Sequence, residues 1–392
     1  MSSAEHKEQS PQGNVPNLRF PEFSGEWKSN ELHKVASLSK GTGISKDQLS
    51  DSGHPCILYG ELYTKYKSEI IREVYSKTQL DVANLVKSHT NDVIIPCSGE
   101  AAIEIATARC VLIPEVLLGG DLNIIRLNGC HDGGFFAYQL NGKRKVDIAK
   151  VAQGVSVVHL YGEHLKKVKV SYPSLKEQQK ISSFLALLDE RIATQIKIIE
   201  DLKKLKSAIS NEIFEQTSNR ICELKEIASV IMGQSPSSHA YNNNAEGLPL
   251  IQGNLDIENG QLSPRIYTHE ITQTCECGDV ILTVRAPVGE IAIAQQEACI
   301  GRGVCSIRPH VKNDTNLIYQ FLQYFKPKWG SLEQGSTFTA VSGTDIRGIA
   351  VSIPSADKIE LLNVYDNKIR VESRILTNLT QQKQYLLAQM FI

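Results

Sequence analysis

No run of about 18 apolar residues occurs in this 392-residue chain, which excludes a membrane-spanning helix. The opening MSSAEHKEQSPQGNVPN has no apolar core of the kind a secretory leader needs, and its polarity predicts a disordered tail over 1–17. An excess of one charge is missing as well: 42 Lys and Arg face 43 Asp and Glu, so net charge by itself announces no nucleic-acid partner. Nine cysteines follow no framework, and their odd number points to reduced thiols in a cytoplasmic setting. No G-x-x-x-x-G-K-[ST] loop is present, which excludes a P-loop nucleotide site. GRGVCS (301–306) lacks a strand–loop–helix context and reads as a tight turn. Cys275-Glu276-Cys277 with His269 misses the usual C-x-x-C zinc spacing.

What the chain does contain is a long internal repeat. EQGSTFTAVSGTDIRGIAVSIPS (333–355) answers AQGVSVVHLYGEHLKKVKVSYPS (152–174) at a constant offset of 181 residues. Gln153-Gly154 returns as Gln334-Gly335, Gly162 as Gly343, and Ser171, Pro173 and Ser174 as Ser352, Pro354 and Ser355. His159 and His164 return as Ala340 and Asp345, so they are read as incidental rather than as ligands. Upstream, ELHKVASLSKGTG (31–43) matches ELKEIASVIMGQSP (223–236), ILYGELY (57–63) matches LIQGNLD (250–256), and NDVIIPCSGE (91–100) matches GDVILTVRAPVGE (278–290). GGDLNIIRL (119–127) matches GRGVCSIRP (301–309) in the same order. A period this long is domain duplication, not a solenoid. Short β-branched runs such as DVIIPC and DVILTV predict strands, and NLIYQFLQYF (316–325) predicts a helix with an aromatic face, so each half is read as α+β.

Each joint leads into a proline-free amphipathic segment. In the first, Ile181, Leu185, Leu188, Ile192, Ile196, Ile199, Leu202, Leu205, Ile209 and Ile213 recur at steps of three or four. Pro173 stops the strand before it, and Ser174 with Glu177 predicts a capping box. The second carries Ile359, Leu362, Tyr365, Ile369, Leu376, Leu379, Leu386 and Met390. Two such stripes are best buried against each other, as an antiparallel pair with a domain at either end. No catalytic constellation occurs in both halves, and the Asn-Pro-Pro-Tyr motif with which adenine methyltransferases hold their base is absent. Duplicated domains without duplicated chemistry suggest a binder. A structural tether or adhesin with two ligand-binding heads is the alternative.

This arrangement resembles the specificity subunit of Type I restriction-modification enzymes. PSLKEQQKISSFLALLDERI (173–192) is similar to the segment that opens the central helix in that family. NVPNLRFPEFSGEW (14–27) resembles the start of many such subunits from Gram-positive bacteria, and VILTVRAPVGEIAIA (280–294) a passage of their target recognition domains. The stretch from Pro354 to Asp366 is four residues shorter than that from Pro173 to Asp189, about one helical turn, and it lacks the Glu-Gln-Gln triplet. The resemblance implies target recognition domains over 18–173 and 217–354, and helices over 174–216 and 355–392. It also implies a non-catalytic chain that binds double-stranded DNA in two halves, with the helices fixing the spacer. Two methyltransferase subunits would bring S-adenosylmethionine, and motor-nuclease subunits would use ATP and Mg2+; the chain itself would hold no cofactor or metal.

Candidate DNA contacts fall on matched loops. Lys40 and Thr42 lie on the loop after the first expected helix of one half, and Gln234 and Ser235 on the matching loop of the other; Tyr63, Lys65 and Lys67, and Asn254, follow the next strand. Arg285 and Arg302 suit bidentate guanine contacts, and Lys143, Arg144 and Lys145 form a further basic run. Gly154 and Gly335 are assigned to the joint. Off the helical stripes, Phe184, Leu187, Ile198, Leu361, Leu387 and Phe391 are expected to stay exposed as a docking surface for the methyltransferase subunits.

Overall fold

The computed structural model describes residues 13–154, 157–331 and 340–392. They divide into two α+β units, one formed by the chain up to Ile196 with Ile375–Ile392, the other by Lys197–Arg374. Gln334 and Gly335 of the second joint lie outside the described residues, as do residues 1–12 of the expected tail. Residues 13–17 of that tail are held by hydrogen bonds: Trp27 N donates to Asn14 O, and Asn17 Nδ2 to Gln389 Oε1.

In the first unit the β-branched run Asp92–Pro96 is wholly buried inside a five-stranded sheet. The order is Ala36–Lys40, Leu122–Leu127, Asp92–Pro96, Arg109–Val111, Ile70–Ile71. A second sheet orders Leu117–Leu118, His54–Ile57, Ser76–Thr78 and Leu49–Ser50. Helix α1 (Gly133–Asn141) begins at Asp132, whose side chain accepts from Phe135 N. It buries Phe135, Phe136 and Tyr138 in a core with Trp27. Lys28–Glu31 pairs antiparallel with Lys169–Tyr172, so the domain opens and closes on one ribbon before the chain enters α2 (Leu175–Phe214).

The second unit repeats the plan. Its six-stranded sheet runs Ala228–Met232, Val304–Pro309, Val280–Thr283, Ile291–Ile293, Gln261–Leu262, Ile257–Glu258. A five-stranded sheet orders Tyr241–Asn242, Ile266–Thr268, Leu248–Ile251, Ala298–Ile300 and Thr274–Cys275. The expected aromatic helix forms as α3 (Thr315–Phe325), with Phe321 and Leu322 in the core. Arg220–Glu223 pairs antiparallel with Ala350–Ile353 and closes this domain ahead of α4 (Ala356–Gln389).

The long helices keep most of the expected stripe and revise part of it. Ile181, Leu185, Ile199 and Ile213 are buried, as are Ile359, Leu362, Leu379, Leu386 and Met390. Ile196 and Leu205 are not; the neighbouring Gln195 and Lys206 take the buried positions instead. Glu177 closes no capping box on Ser174: its carboxylate accepts from Arg19 at 2.7 and 2.8 Å and from Trp27 Nε1 at 3.3 Å.

The pairing of the helices is read within each unit. In the first, Lys383 of α4 meets Asp189 of α2 at 2.6 Å. In the second, Lys206 of α2 meets Asp366 of α4 at 2.6 Å, and Lys358 donates to Gln216. Ascending numbers in one helix meet descending numbers in the other, so the helices run antiparallel. Asp189 and Asp366 differ by 177 residues, and so do Lys206 and Lys383. Each helix therefore carries an acid and, 17 residues later, a lysine. The four-residue deficit after Pro354 is absorbed before Asp366, and from there the registers agree.

Candidate nucleic-acid interface

In each unit the glycine-bearing loops flagged by the repeat gather at one end of the sheets, because strand pairing brings their ends level. In the second, Met232 is opposite Cys305, Ile251 lies parallel to Ile300, and Thr283 is opposite Val304. The loops that follow are stitched by backbone bonds: Gly233 N to Val304 O at 3.0 Å, Gln234 N to Ile300 O at 2.9 Å, and Gly301 N to Ile251 O at 2.8 Å. Arg302 N also donates to Ser235 Oγ at 3.1 Å. Below the turn at Asn254, the buried Asp256 carboxylate accepts from Gln252 N and is paired with Arg265.

The first unit makes the same three backbone bonds. Gly41 N donates to Leu122 O, Thr42 N to Leu118 O, and Gly119 N to Ile57 O, at 2.9–3.0 Å. Both first loops need glycine for close approach: a Cβ on Gly41 would lie 2.0 Å from Gly119 O, and one on Gly233 2.1 Å from Gly301 O. The duplication therefore extends to the contact that sets the loop spacing.

Between the loops of the second unit is a cleft of about 250 Å³ lined by Gln252, Gly253, Asn254, Arg285, Ala286, Arg302 and Gly303. It brings together three residues singled out from the sequence: Asn254, Arg285 and Arg302. Both arginines are exposed, and neither makes an ion pair among the described residues, whereas Arg265 and Arg308 are tied to Asp256 and Asp279. Gln234 and Ser235 sit on the adjoining loop.

The equivalent cleft of the first unit, about 490 Å³, has different chemistry. Gly43, Ile44, Ser45, Gln48, Leu58, Tyr59, Gly119, Gly120 and Asp121 line it. Lys40 is exposed at the end of its strand. Its charge pulls the Cys97 thiol down, but burial still pushes that thiol up to about 11. Thr42 Oγ accepts from Val86 N at 2.9 Å and so has a structural task.

Other candidates are not brought to this cleft. Lys65 is committed to Glu61 and Ser76, Lys67 donates to Tyr63 O, and the buried Tyr63 hydroxyl has no hydrogen-bond partner among the described residues. Arg144 bonds Asp147 and Ile392 O, so it serves as a strut to the end of the chain, while Lys143 is exposed. Gln48, Tyr59, Asp121 and Gln252 were not singled out. Tyr59 and Gln252 occupy one repeat position, in LYGEL and IQGNL, and that alignment is the signal that finds them.

On the helices, Phe184, Leu187, Ile198 and Leu361 are exposed as expected, Leu187 at 65%. Leu387 is partly buried against the first core, and Phe391 is 2% exposed, its ring 5.1 Å from Phe135 and 6.4 Å from Trp27. The expected docking role of Phe391 is thereby corrected to a core role. No helix among the described residues is long and apolar enough to cross a membrane.

Comparison with known proteins agrees with this architecture. The Type I restriction modification DNA specificity domain matches over residues 24–204 and again over 219–381. A putative type I restriction enzyme MjaX specificity subunit of Methanocaldococcus jannaschii is 26% identical over 410 residues, covering 95% of each chain. The crystal structure of a Type I restriction-modification S subunit from M. genitalium superposes with a TM-score of 0.66 at 17% identity, over 96% of this chain and 99% of that one. A chain from a study of complex assembly and conformational transition of the type I R-M system gives 0.58 at 20% identity, over 93% and 97%. With the specificity domain present twice and the two long helices in place, this chain belongs to the family of Type I restriction-modification DNA specificity subunits.

Proposed function

We propose that each domain reads one half of a bipartite, asymmetric DNA site and that the helix pair sets the unread spacer. The observation that carries this reading is one loop cleft built twice on the same backbone bonds but lined by different side chains. Two free guanidinium groups with Gln252 and Asn254 suit guanine and adenine edges or phosphates, whereas Tyr59, Gln48 and Asp121 suit other partners. Different linings on one frame read different half-sites. Near-zero net charge fits a chain that supplies base readout while partner subunits share phosphate neutralisation.

The exposed Phe184 and Leu187 of the first unit, and Ile198 and Leu361 of the second, are assigned to docking of two adenine-methyltransferase subunits, and through them of motor-nuclease subunits. Those partners would supply S-adenosylmethionine, ATP and Mg2+, in the cytoplasm; this chain would orient them and make no bond itself. The test is domain exchange. Replacing residues 20–170 with the equivalent segment of another family member should change one half of the motif methylated in a host carrying the complete system. Methylome sequencing reads the result, and a change in both halves together defeats the two-reader assignment.

A further inference from the structure

The first unit contains a buried ionic node outside the loop cleft. Lys383 Nζ lies 2.6 Å from Glu69 and 2.6 Å from Asp189, and both carboxylates are 6% exposed. Tyr138 OH and Ser68 Oγ donate to the same Asp189 oxygen at 2.7 and 3.1 Å. Burial works against every charge here; the ammonium still holds Asp189 below its ordinary range, while Glu69 is pushed above its own. Apolar packing usually stabilises at least as well as a buried charge cluster, so what such a cluster adds is directional geometry.

That geometry ends on the segment following the strand His54–Ile57. Ser68 and Glu69 close the segment that carries Tyr63, Lys65 and Lys67 and begins at the cleft residues Leu58 and Tyr59. Its middle is pinned by Arg109, whose Nη2 donates to Tyr66 O at 3.1 Å and Leu62 O at 3.4 Å. Cys110 N, one residue on, donates to Glu69 O at 2.7 Å. One ammonium on α4 therefore ties the end of this segment to both long helices.

The second unit repeats the lysine–aspartate pair as Lys206 with Asp366, but among the described residues no carboxylate of the segment after Leu248–Ile251 joins it; Lys206 donates instead to Gln323 of α3. By the repeat, Tyr138 corresponds to Tyr319, Asp189 to Asp366 and Lys383 to Lys206, and Gln320 donates to Asp366 as well. A cavity of about 370 Å³, bordered by Gly260, Gln261, Tyr319, Gln320 and Asp366, lies there.

We propose that Lys383 is a positioning residue that couples the long helices to the reading segment of the first domain alone, so that helix placement sets discrimination at one half-site and not at the other. This rests on the DNA-reading assignment above, and the experiment separates the two. The full chain, with its methyltransferase partners, is titrated with duplexes carrying the motif found by methylome sequencing, and with single mismatches in each half. In the wild type a mismatch costs about tenfold or more in affinity. Lys383→Met should reduce that penalty to under about threefold in the half assigned to the first domain by exchange, and leave it intact in the other. Lys383→Arg, which keeps the charge, should restore discrimination. Because Lys383→Met alone leaves two buried carboxylates without a cation, the triple variant Lys383→Met, Glu69→Gln, Asp189→Asn repeats the test without a stranded charge and should behave the same way. Unchanged discrimination in the triple variant, or equal loss in both halves, overturns the coupling. A wild type that discriminates in neither half overturns the DNA reading itself.

Discussion

Gly233→Ala tests whether the close approach of loops builds the second cleft. The added Cβ would lie 2.1 Å from Gly301 O and 2.8 Å from Ile300 O, both backbone atoms with no side chain to swing away. Reaching ordinary van der Waals separation requires the loops to part by about 1 Å or more. That opening strains the bonds from Gly233 N to Val304 O and from Gln234 N to Ile300 O. Two net hydrogen bonds of about 1 kcal/mol each, with overpacking of about 1–2 kcal/mol, give a loss of about 3–4 kcal/mol. For a unit of this size, that lowers the melting transition by about 6–16 °C. Gly253→Ala is the matched control on the neighbouring loop: nothing lies within 4 Å of its Cβ position and its φ is 179°, so its effect should stay within about 0.5 kcal/mol. Differential scanning calorimetry reads stability, and duplexes mismatched in either half read recognition, which Gly233→Ala should weaken in the second half only. A Gly233→Ala protein with wild-type melting and binding, or a Gly253→Ala protein that melts as low as Gly233→Ala, would refute the reasoning.

Lengthening the helices should lengthen the spacer. Four residues inserted near Leu202 and four near Leu379 add about 6 Å, close to two base pairs, and an unchanged methylated motif counts against the ruler. Asp at Leu187 or Ile198 should abolish co-purification with the methyltransferase while circular dichroism and melting stay within about 0.5 kcal/mol of wild type; normal pull-down contradicts the docking face. Lys206→Met leaves Asp366 without its ammonium and should cost about 2–4 kcal/mol by denaturant unfolding, most of it recovered in Lys206→Met with Asp366→Asn. A double variant no more stable than the single one would show that the stranded charge is not the cause.

The duplication was the most legible feature of the sequence, because glycines in loops and prolines after strands mark backbone events that survive divergence of everything around them. Gly41 and Gly233 illustrate this: each faces a carbonyl oxygen about 2 Å from where a Cβ would sit, so the position tolerates little else. The helical stripe was legible only where it is apolar. A hydrophobic periodicity picks Ile196 and Leu205, but the seam uses Gln195 and Lys206, and the reason lies in partners such as Asp366 and Gln323 that are remote in sequence. Phe391 was misplaced for the same reason, since its pocket is made by Trp27 and Phe135, both remote in sequence. Among cleft residues, arginines are visible as charges, whereas Tyr59 and Gln252 carry no such mark and are found only by aligning the two halves.

The 17-residue interval between acid and lysine on each long helix limits how such a chain can change in length. An insertion of one residue turns everything beyond it by about 100° around the helix axis. That carries Lys206 or Lys383 off the seam and leaves Asp366 or the buried Asp189 without its cation. Insertions near whole turns, about 4, 7 or 11 residues, restore the phase, yet in one helix alone they still move the lysine about one, two or three turns past its aspartate. Only matched changes in both helices keep all the buried charges satisfied. If the helix pair sets the spacer as proposed, spacer length is quantised: drift by single residues is removed as instability, and viable lengths are separated by paired steps of about one turn.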